Sequence, residues 1–391
     1  MESAPGKGAL VAGLLIFATA SLAVPLAAPP PSSTLKPGEG LVRQVHAIFR
    51  HGERTPADTY PNDPLINETY SPFGWGQLTL NGKRQVYSQG QWLRQHYHKL
   101  VGDDYSAAYT QSTDVDRSLM TAQLVLAALF PPTPYQEFEP GLRWQPVPVH
   151  TIPVHLDNQL LLVRVPCPRY YEERDRVKKI PPTSELLEKN KELLEKWTTI
   201  TGLPVDNLDE VMSVYSTLLA QSRFNLTLPP WTKEYFPEAF LNMTSTSFLA
   251  TVQTPTLIRL KAGPLVNNIL KEFEKEADQQ QKVKMFLYSG HDSTVANILA
   301  ALGLYKTPYI PGYSALVLLE LVEPSPGKFF VRVFRRSEEN PDAELLQIKG
   351  CDIECPLEKF KELTEPIRPV NWQEECKAIN QDFVAPPPLP P

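Results

Sequence analysis

The chain of 391 residues is short of cysteine, histidine and surplus positive charge, and each shortage narrows what it can do. Thirty-eight Lys and Arg face 44 Asp and Glu, a net charge of −6, whereas a general nucleic-acid binder carries a basic surface. No nucleic-acid partner is therefore expected. An anionic substrate is still allowed, because a few arginines can reverse the field inside one cleft. The four cysteines have no histidine near them and so offer no zinc-ligand set. No internal repeat is found. Only one long apolar run occurs, near the N-terminus, so the mature chain is expected to be soluble with no membrane partner. The hydrophobic fraction of 42% and aromatic fraction of 9% exclude wholesale disorder. At about 150 residues per domain the length allows two domains, or one large domain with an insertion.

Proline is in excess: 40 residues, about twice the ~5% average, ten of them in the end segments Pro25–Pro37 and Pro386–Pro391. Those ends read as extended tails with nothing to pack. Lys7 precedes the apolar run Ala9–Ala23, which ends in Ser21-Leu22-Ala23, the layout of a secretory signal peptide cleaved after Ala23. A retained signal anchor is the alternative, since the apolar stretch continues to Ala28. Sequons at Asn67, Asn225 and Asn242 agree with secretion and glycosylation. In an oxidising compartment Cys167, Cys351, Cys355 and Cys376 form two disulfides. Three pairings are open. Cys351 and Cys355 enclose a loop of only three residues, which leaves Cys167 for Cys376.

Strands are expected at Leu41–Phe49, Ala107–Gln111 and Val283–Tyr288, with a late hairpin from Tyr313–Val322 to Phe329–Arg335 across Pro324-Ser325-Pro326-Gly327. Helices are expected at Thr79–Tyr97, Asp116–Leu129, Ser184–Trp197, Leu208–Leu219 and Ser293–Leu302. The pattern gives an α/β fold with a three-layer core: a central mixed, mostly parallel sheet flanked by helices. The strand–helix alternation breaks between about 135 and 250, read as an inserted, mostly helical cap. The organisation is then a signal peptide (1–23), a Pro-rich segment (24–40), a core (41–134 and 251–376), the cap (135–250) and a Pro-rich tail (377–391).

Three of the strands end in polar clusters. The first runs into Arg50-His51-Gly52-Glu53-Arg54-Thr55-Pro56, the second into Ser112-Thr113-Asp114-Val115-Asp116-Arg117, the third into Ser289-Gly290-His291-Asp292. In open α/β sheets the loops at carboxyl ends of strands line the ligand crevice. Arginine's planar fork holds two phosphate oxygens at once, so Arg50 and Arg54 beside His51 make a phosphate cradle. Gly52 would let the backbone approach the ligand. Each cluster has a bland reading: Arg117 as a surface ion pair, Asp292 as a helix N-cap, His291 as a packed core histidine. The same arrangement three times over is what those readings leave unexplained.

These motifs resemble the histidine acid phosphatases, in the branch with the prostatic, lysosomal and insect secreted enzymes. Arg-His-Gly-x-Arg-x-Pro stands at Arg50–Pro56, Ser-Thr-Asp-x-Asp-Arg at Ser112–Arg117 and Ser-Gly-His-Asp at Ser289–Asp292, in the family's order. The resemblance spans about residue 41 to Cys376. It implies hydrolysis of small phosphomonoesters through a covalent phosphohistidine on His51. Arg50, Arg54, Arg117 and His291 would bind the phosphoryl oxygens, and Asp292 would protonate the leaving alcohol. No metal or other cofactor is called for, because the arginines supply the positive charge. A neutral Asp292 acting as the acid, from an ordinary pKa of ~3.9, fits activity favoured at acidic pH. The resemblance also implies secretion, with the lysosomal lumen as alternative, and a homodimer.

The chain departs from that branch in places. Glu53 stands where the branch commonly has Asp, as in phosphoglycerate mutases, but Gly290-His291-Asp292 differs from the mutases' Gly-His-Gly. Four cysteines replace the usual six. The alternative readings are a phytase or inositol-polyphosphate phosphatase and a catalytically silent binding protein or allergen. Against the first, Arg174–Lys179 is the one basic cluster between 131 and 250; against the second, His51, Arg54 and Asp292 are all present.

Overall fold

The structure is a computed structural model that describes residues 35–305, 309–338 and 341–386. The signal segment, most of the Pro-rich segment that follows it and the last five residues lie outside the described residues.

Eight strands make one sheet: β1 (Val42–Arg50), β2 (Ala108–Thr113), β3 (His150–Ile152), β4 (Met285–Gly290), β5 (Leu316–Ser325), β6 (Lys328–Arg336), β7 (Glu344–Leu346) and β8 (Cys355–Pro356). Their order is β3-β2-β4-β1-β5-β6-β7, with β8 also on β6. The fold is α/β with a mixed sheet. Its parallel share is smaller than the sequence suggested: β3, β2, β4 and β1 run parallel, but every pairing from β1/β5 onward is antiparallel. For β5 and β6 the physical reason is the two-residue connection Pro326-Gly327, where Ser325 pairs with Lys328 and Gly327 adopts φ 75°. A tight turn can join only antiparallel neighbours.

Alternation along the strands sends side chains to two separate cores. Val45, Ala47 and Phe49 of β1 pack with Met285, Leu287, Leu316 and Leu318 against Val86, Leu93, Tyr97, Val125 and Leu129. Those last five belong to helices α1 (Leu80–Val101) and α2 (Asp116–Leu129). On the opposite face Ile48, Phe286, Tyr288, Val317 and Leu319 meet Leu265, Ile269, Phe273, Val295 and Leu299. Each fully buried aliphatic or aromatic side chain contributes about 1.5–3 kcal/mol to holding these layers.

Between β3 and β4 come α3 (Pro168–Lys178), α4 (Thr183–Lys189), α5 (Lys191–Thr201), α6 (Leu208–Arg223), α7 (Thr232–Tyr235), α8 (Glu238–Ala250), α9 (Pro255–Lys261) and α10 (Gly263–Ala277); α11 (Asp292–Ala301) follows β4. Leu194, Trp197, Val211, Val214, Leu218 and Phe240 form a third core within that helical stretch. Three residues of the expected cap 135–250, His150–Ile152, instead join the sheet as its edge strand β3 beside β2. The helix expected over Ser184–Trp197 is two helices that meet at Asn190, whose φ −106°, ψ 14° leave the helical range and whose side chain donates to the Leu186 carbonyl at 2.8 Å. Cys167 is bonded to Cys376 and Cys351 to Cys355. Asn67, Asn225 and Asn242 are all exposed, the last on α8 with Thr244 of its sequon buried.

Candidate active site

Because β1, β2 and β4 are parallel and adjacent, their carboxyl ends open on one edge of the sheet, and the three polar clusters converge there. His51 follows β1 directly. Its N–H donates to Gly290 O at 3.0 Å and its carbonyl accepts from Ser314 N at 3.1 Å, so the backbone is clamped between the end of β4 and the start of β5. The His51 ring lies 5.6 Å from that of His291, centroid to centroid.

The orientation of the His51 ring fixes its tautomer. Nδ1 is 2.9 Å from the carbonyl oxygen of Gly52, which can only accept, so Nδ1 carries the proton and donates. Nε2 keeps its lone pair. Burial, then Arg117, Arg50, His291 and Arg54, hold the imidazole well below its ordinary 6.5. Burial and the neighbouring charges thus disfavour the protonated ring more than they would in an exposed histidine.

Arg50 ends β1, buried, with Nη1 donating to Pro311 O at 2.6 Å, Nη2 3.0 Å from Asp292 Oδ2, and its guanidinium 4.3 Å above the Tyr313 ring. Arg54 forms an isolated bridge with Leu78 and donates from Nη1 to Thr55 O at 2.9 Å. Arg117 is the second residue of α2 and is lowered to about 10 by burial and by Arg54, with Asp292 opposing. Arg117 is thus no surface ion pair: three guanidinium groups share this edge with one carboxylate.

His291 precedes α11 with Nε2 3.1 Å from Thr113 Oγ1, and burial, Arg117 and Arg50 take it down to about 3. The helix cap expected of Asp292 falls elsewhere. Asp292 is the first helical residue and accepts from Ser293 N at 2.7 Å, while Thr294 Oγ1 takes the His291 N–H at 3.0 Å. The Asp292 side chain is 27% exposed. Its burial alone would raise the carboxyl, but Arg50, His291, the Ser293 N–H and Arg54 outweigh it and hold the group below the ordinary carboxylate range. That direction favours the carboxylate form in the free site, whereas the sequence expectation was of a neutral Asp292 acting as the acid.

Gly52 serves a different end from the one its sequence suggests. A Cβ there would lie 2.5 Å from Gly82 O, so the missing side chain lets α1 pack against the loop. Glu53 is buried in the same contact. It accepts from Thr79 Oγ1 at 2.7 Å and Asn81 Nδ2 at 2.9 Å, and Thr79 in turn caps α1 by accepting from Gly82 N at 3.0 Å. Its carboxylate is committed to the start of that helix. Tyr313, whose ring lies under Arg50, carried no signal of its own beyond standing at a strand end, and Thr113, which bonds His291, was read only as part of the Ser112–Arg117 motif. Among the described residues no three His, Cys, Asp or Glu side chains gather into a group that could hold a metal ion.

Residues 41–336 match the family model of the histidine phosphatase superfamily (branch 2). Lysosomal acid phosphatase of Rattus norvegicus is 36% identical over 341 residues, covering 86% of this chain and 80% of that one. Prostatic acid phosphatase of Homo sapiens is 36% identical over 342 residues, covering 86% and 88%. Among solved structures, Hafnia alvei phytase with tartrate superposes at a TM-score of 0.62 with 16% identity, covering 86% of this chain and 98% of that one, a likeness of fold alone. The chain belongs to the histidine phosphatase superfamily (branch 2), and within it the chain is an acid phosphatase.

Proposed function

We propose that this chain hydrolyses phosphate monoesters in two steps, with His51 as nucleophile and Asp292 as proton donor. The lone pair of His51 Nε2 attacks phosphorus, the bond to the ester oxygen breaks, and that oxygen takes from Asp292 the proton that the ester brought in as its monoanion. Water then attacks the phosphohistidine, giving its proton to the Asp292 carboxylate and releasing phosphate. Arg50, Arg54, Arg117 and His291 bind the non-bridging oxygens and stabilise the charge that builds on them.

The observation that carries this reading is the Nδ1–Gly52 bond, which leaves Nε2 bare on a histidine surrounded by arginines. The buried Nε atoms of Arg50, Arg54 and Arg117 have no acceptor, and an oxyanion supplies acceptors of the right kind. Among the described residues no helix is long and apolar enough to cross a membrane. With the N-terminal signal layout, that supports a secreted protein or one of the lysosomal lumen. Residues 135–250 are taken as the cap that shapes the cleft.

The test is hydrolysis of 4-nitrophenyl phosphate from pH 3 to 9, with and without EDTA, followed by denaturing quench of a ³²P-labelled substrate. Turnover strongest below neutrality, insensitive to EDTA, with acid-labile and base-stable label on the protein, is the expected result. His51→Ala should lose both turnover and label while remaining folded. An active alanine variant overturns the assignment of the nucleophile.

A further inference from the structure

Thr294 is the third residue of α11, and its hydroxyl joins two distant segments of the chain. Oγ1 accepts the His291 N–H and donates to Leu160 O, each at 3.0 Å. A hydroxyl has one proton to give, so the bond to Leu160 leaves lone pairs alone to face His291. The oxygen also sits hard against the end of β4: a Cβ at Gly290 would stand 2.6 Å from it. Thr294 is only 2% exposed, which keeps water from competing for either bond.

The Leu160 carbonyl is itself held in place. Asp157, fully buried, accepts from Gln159 N at 3.1 Å and from Leu160 N at 2.9 Å through the one oxygen Oδ1, closing a turn over residues 157–160. The Leu160 side chain lies in the same core as Val295 and Leu299 of α11. A line of hydrogen bonds therefore runs from Asp157 through Leu160 and Thr294 to the backbone of His291. The His291 ring is held in turn at its far end, with Nε2 3.1 Å from Thr113 Oγ1. Bonds in such a chain polarise and strengthen one another when water is excluded. Neither Asp157 nor Thr294 enters the reaction steps above.

We propose that Asp157 and Thr294 are positioning residues for His291: their line of bonds sets where His291, and Asp292 directly after it, stand against the phosphoryl group. This rests on the phosphatase reading above. A misplacement of about 1 Å in a group of this kind costs about 10²-fold in rate. Thr294→Val keeps the shape of the side chain and removes both of its bonds. Asp157→Ala removes the acceptor that closes the turn.

The experiment measures kcat/KM for 4-nitrophenyl phosphate at pH 5, and the inhibition constant of inorganic phosphate, in Thr294→Val, Asp157→Ala and the double variant. Circular dichroism at the assay temperature checks that each is folded. Each single variant should lose about 10- to 100-fold in kcat/KM, with weaker inhibition by phosphate. Because both act through one line, the double variant should lose little more than the worse single one. Thr294→Ser keeps the hydroxyl and Asp157→Asn keeps the acceptor oxygen, so each should recover most of the loss.

Losses that multiply in the double variant overturn the shared line. So does a folded Thr294→Val with the kcat/KM and phosphate inhibition of wild type. If Thr294→Val does not fold, Asp157→Ala against Asp157→Asn decides, and equal kcat/KM in those two overturns the proposal while leaving the phosphatase reading intact. Folded wild-type protein that does not hydrolyse 4-nitrophenyl phosphate overturns both.

Discussion

Arg50 Nη2 lies 3.0 Å from Asp292 Oδ2, an ion pair between the residue that ends β1 and the residue that begins α11. The same guanidinium is anchored by the Pro311 carbonyl and the Tyr313 ring, so the pair is fixed from the arginine side. It helps to hold the Asp292 carboxyl below the ordinary carboxylate range in the free site. A phosphate ester bound as proposed would compete for Arg50 and remove the counter-charge that holds the carboxyl down.

The proton for the leaving group should therefore arrive with the substrate, as its monoanion. The alkaline limb of kcat/KM is expected to follow the second ionisation of the ester, ~6 for an alkyl phosphate. It should move to lower pH for aryl phosphates whose second ionisation is lower. A pH profile measured on two such esters checks this; a limb that stays in place would put the proton on the enzyme before binding.

Asp292→Asn keeps the shape of the side chain and removes its capacity to donate as an acid. Proton transfer of this kind supplies about 10²–10⁴ in rate. That loss is expected on alkyl phosphates, whose leaving oxygen needs the proton, with less than tenfold loss on 4-nitrophenyl phosphate. Equal losses on both, measured as kcat/KM, would remove Asp292 from the acid role.

Gly52→Ala should damage folding and catalysis together. Its Cβ would stand 2.5 Å from Gly82 O, and the Gly52 carbonyl that fixes the His51 tautomer would have to move with the loop. Overpacking of this sort costs about 1–3 kcal/mol. The expected outcome is a lower melting temperature and a kcat well below that of wild type at a temperature where both are folded. Unchanged kcat would show that the Nδ1 bond does not position the nucleophile.

Stability should respond to pH through two buried groups of opposite sign. His46 bonds Gln44 and Tyr288 in the core and is lowered by burial to about 3, so it stays neutral when folded. Its contribution is present above ~6.5, the unfolded value, and is lost as pH falls toward 3, about 3 kcal/mol by pH 4. Asp157, fully buried, is raised by burial to about 6 against two backbone N–H donors. Its contribution is present below its ordinary 3.8 and is lost as pH rises through 6, again about 3 kcal/mol. His46→Phe should flatten the acid-side loss in melting temperature, and Asp157→Asn should stabilise the protein at pH 7 but not at pH 4. Thermal unfolding of the two variants at both pH values checks the signs.

Strand ends were the most legible feature of the sequence. A β-branched or aromatic run that stops at Arg50, at Thr113 or at Gly290 is a local pattern, and the sheet carries all three to one edge. What sequence could not supply was which neighbour a side chain meets. Gly52 reads as an opening for a ligand until Gly82 is seen against it, and Asp292 reads as a cap until Thr294 is seen taking that role. A break falls at Asn190 inside a run that Leu186, Leu187, Leu193, Leu194 and Trp197 would carry through by periodicity, because periodicity reports a buried face and not the backbone angles of one residue.

The place of β1 in the sheet also governs how the protein is made. β1 leaves the ribosome early, but both of its partners, β4 and β5, begin more than 230 residues later. At about 5–20 residues per second the first strand waits ten seconds or more with both edges unpaired, and pairings this distant in sequence close slowly. A nascent chain stopped before Met285 holds Arg50, His51, Arg54 and Arg117 yet lacks the strand that aligns them. Hydrolytic capacity therefore appears only at the end of synthesis, and truncated products should be inert polypeptides that burden quality control rather than weak enzymes.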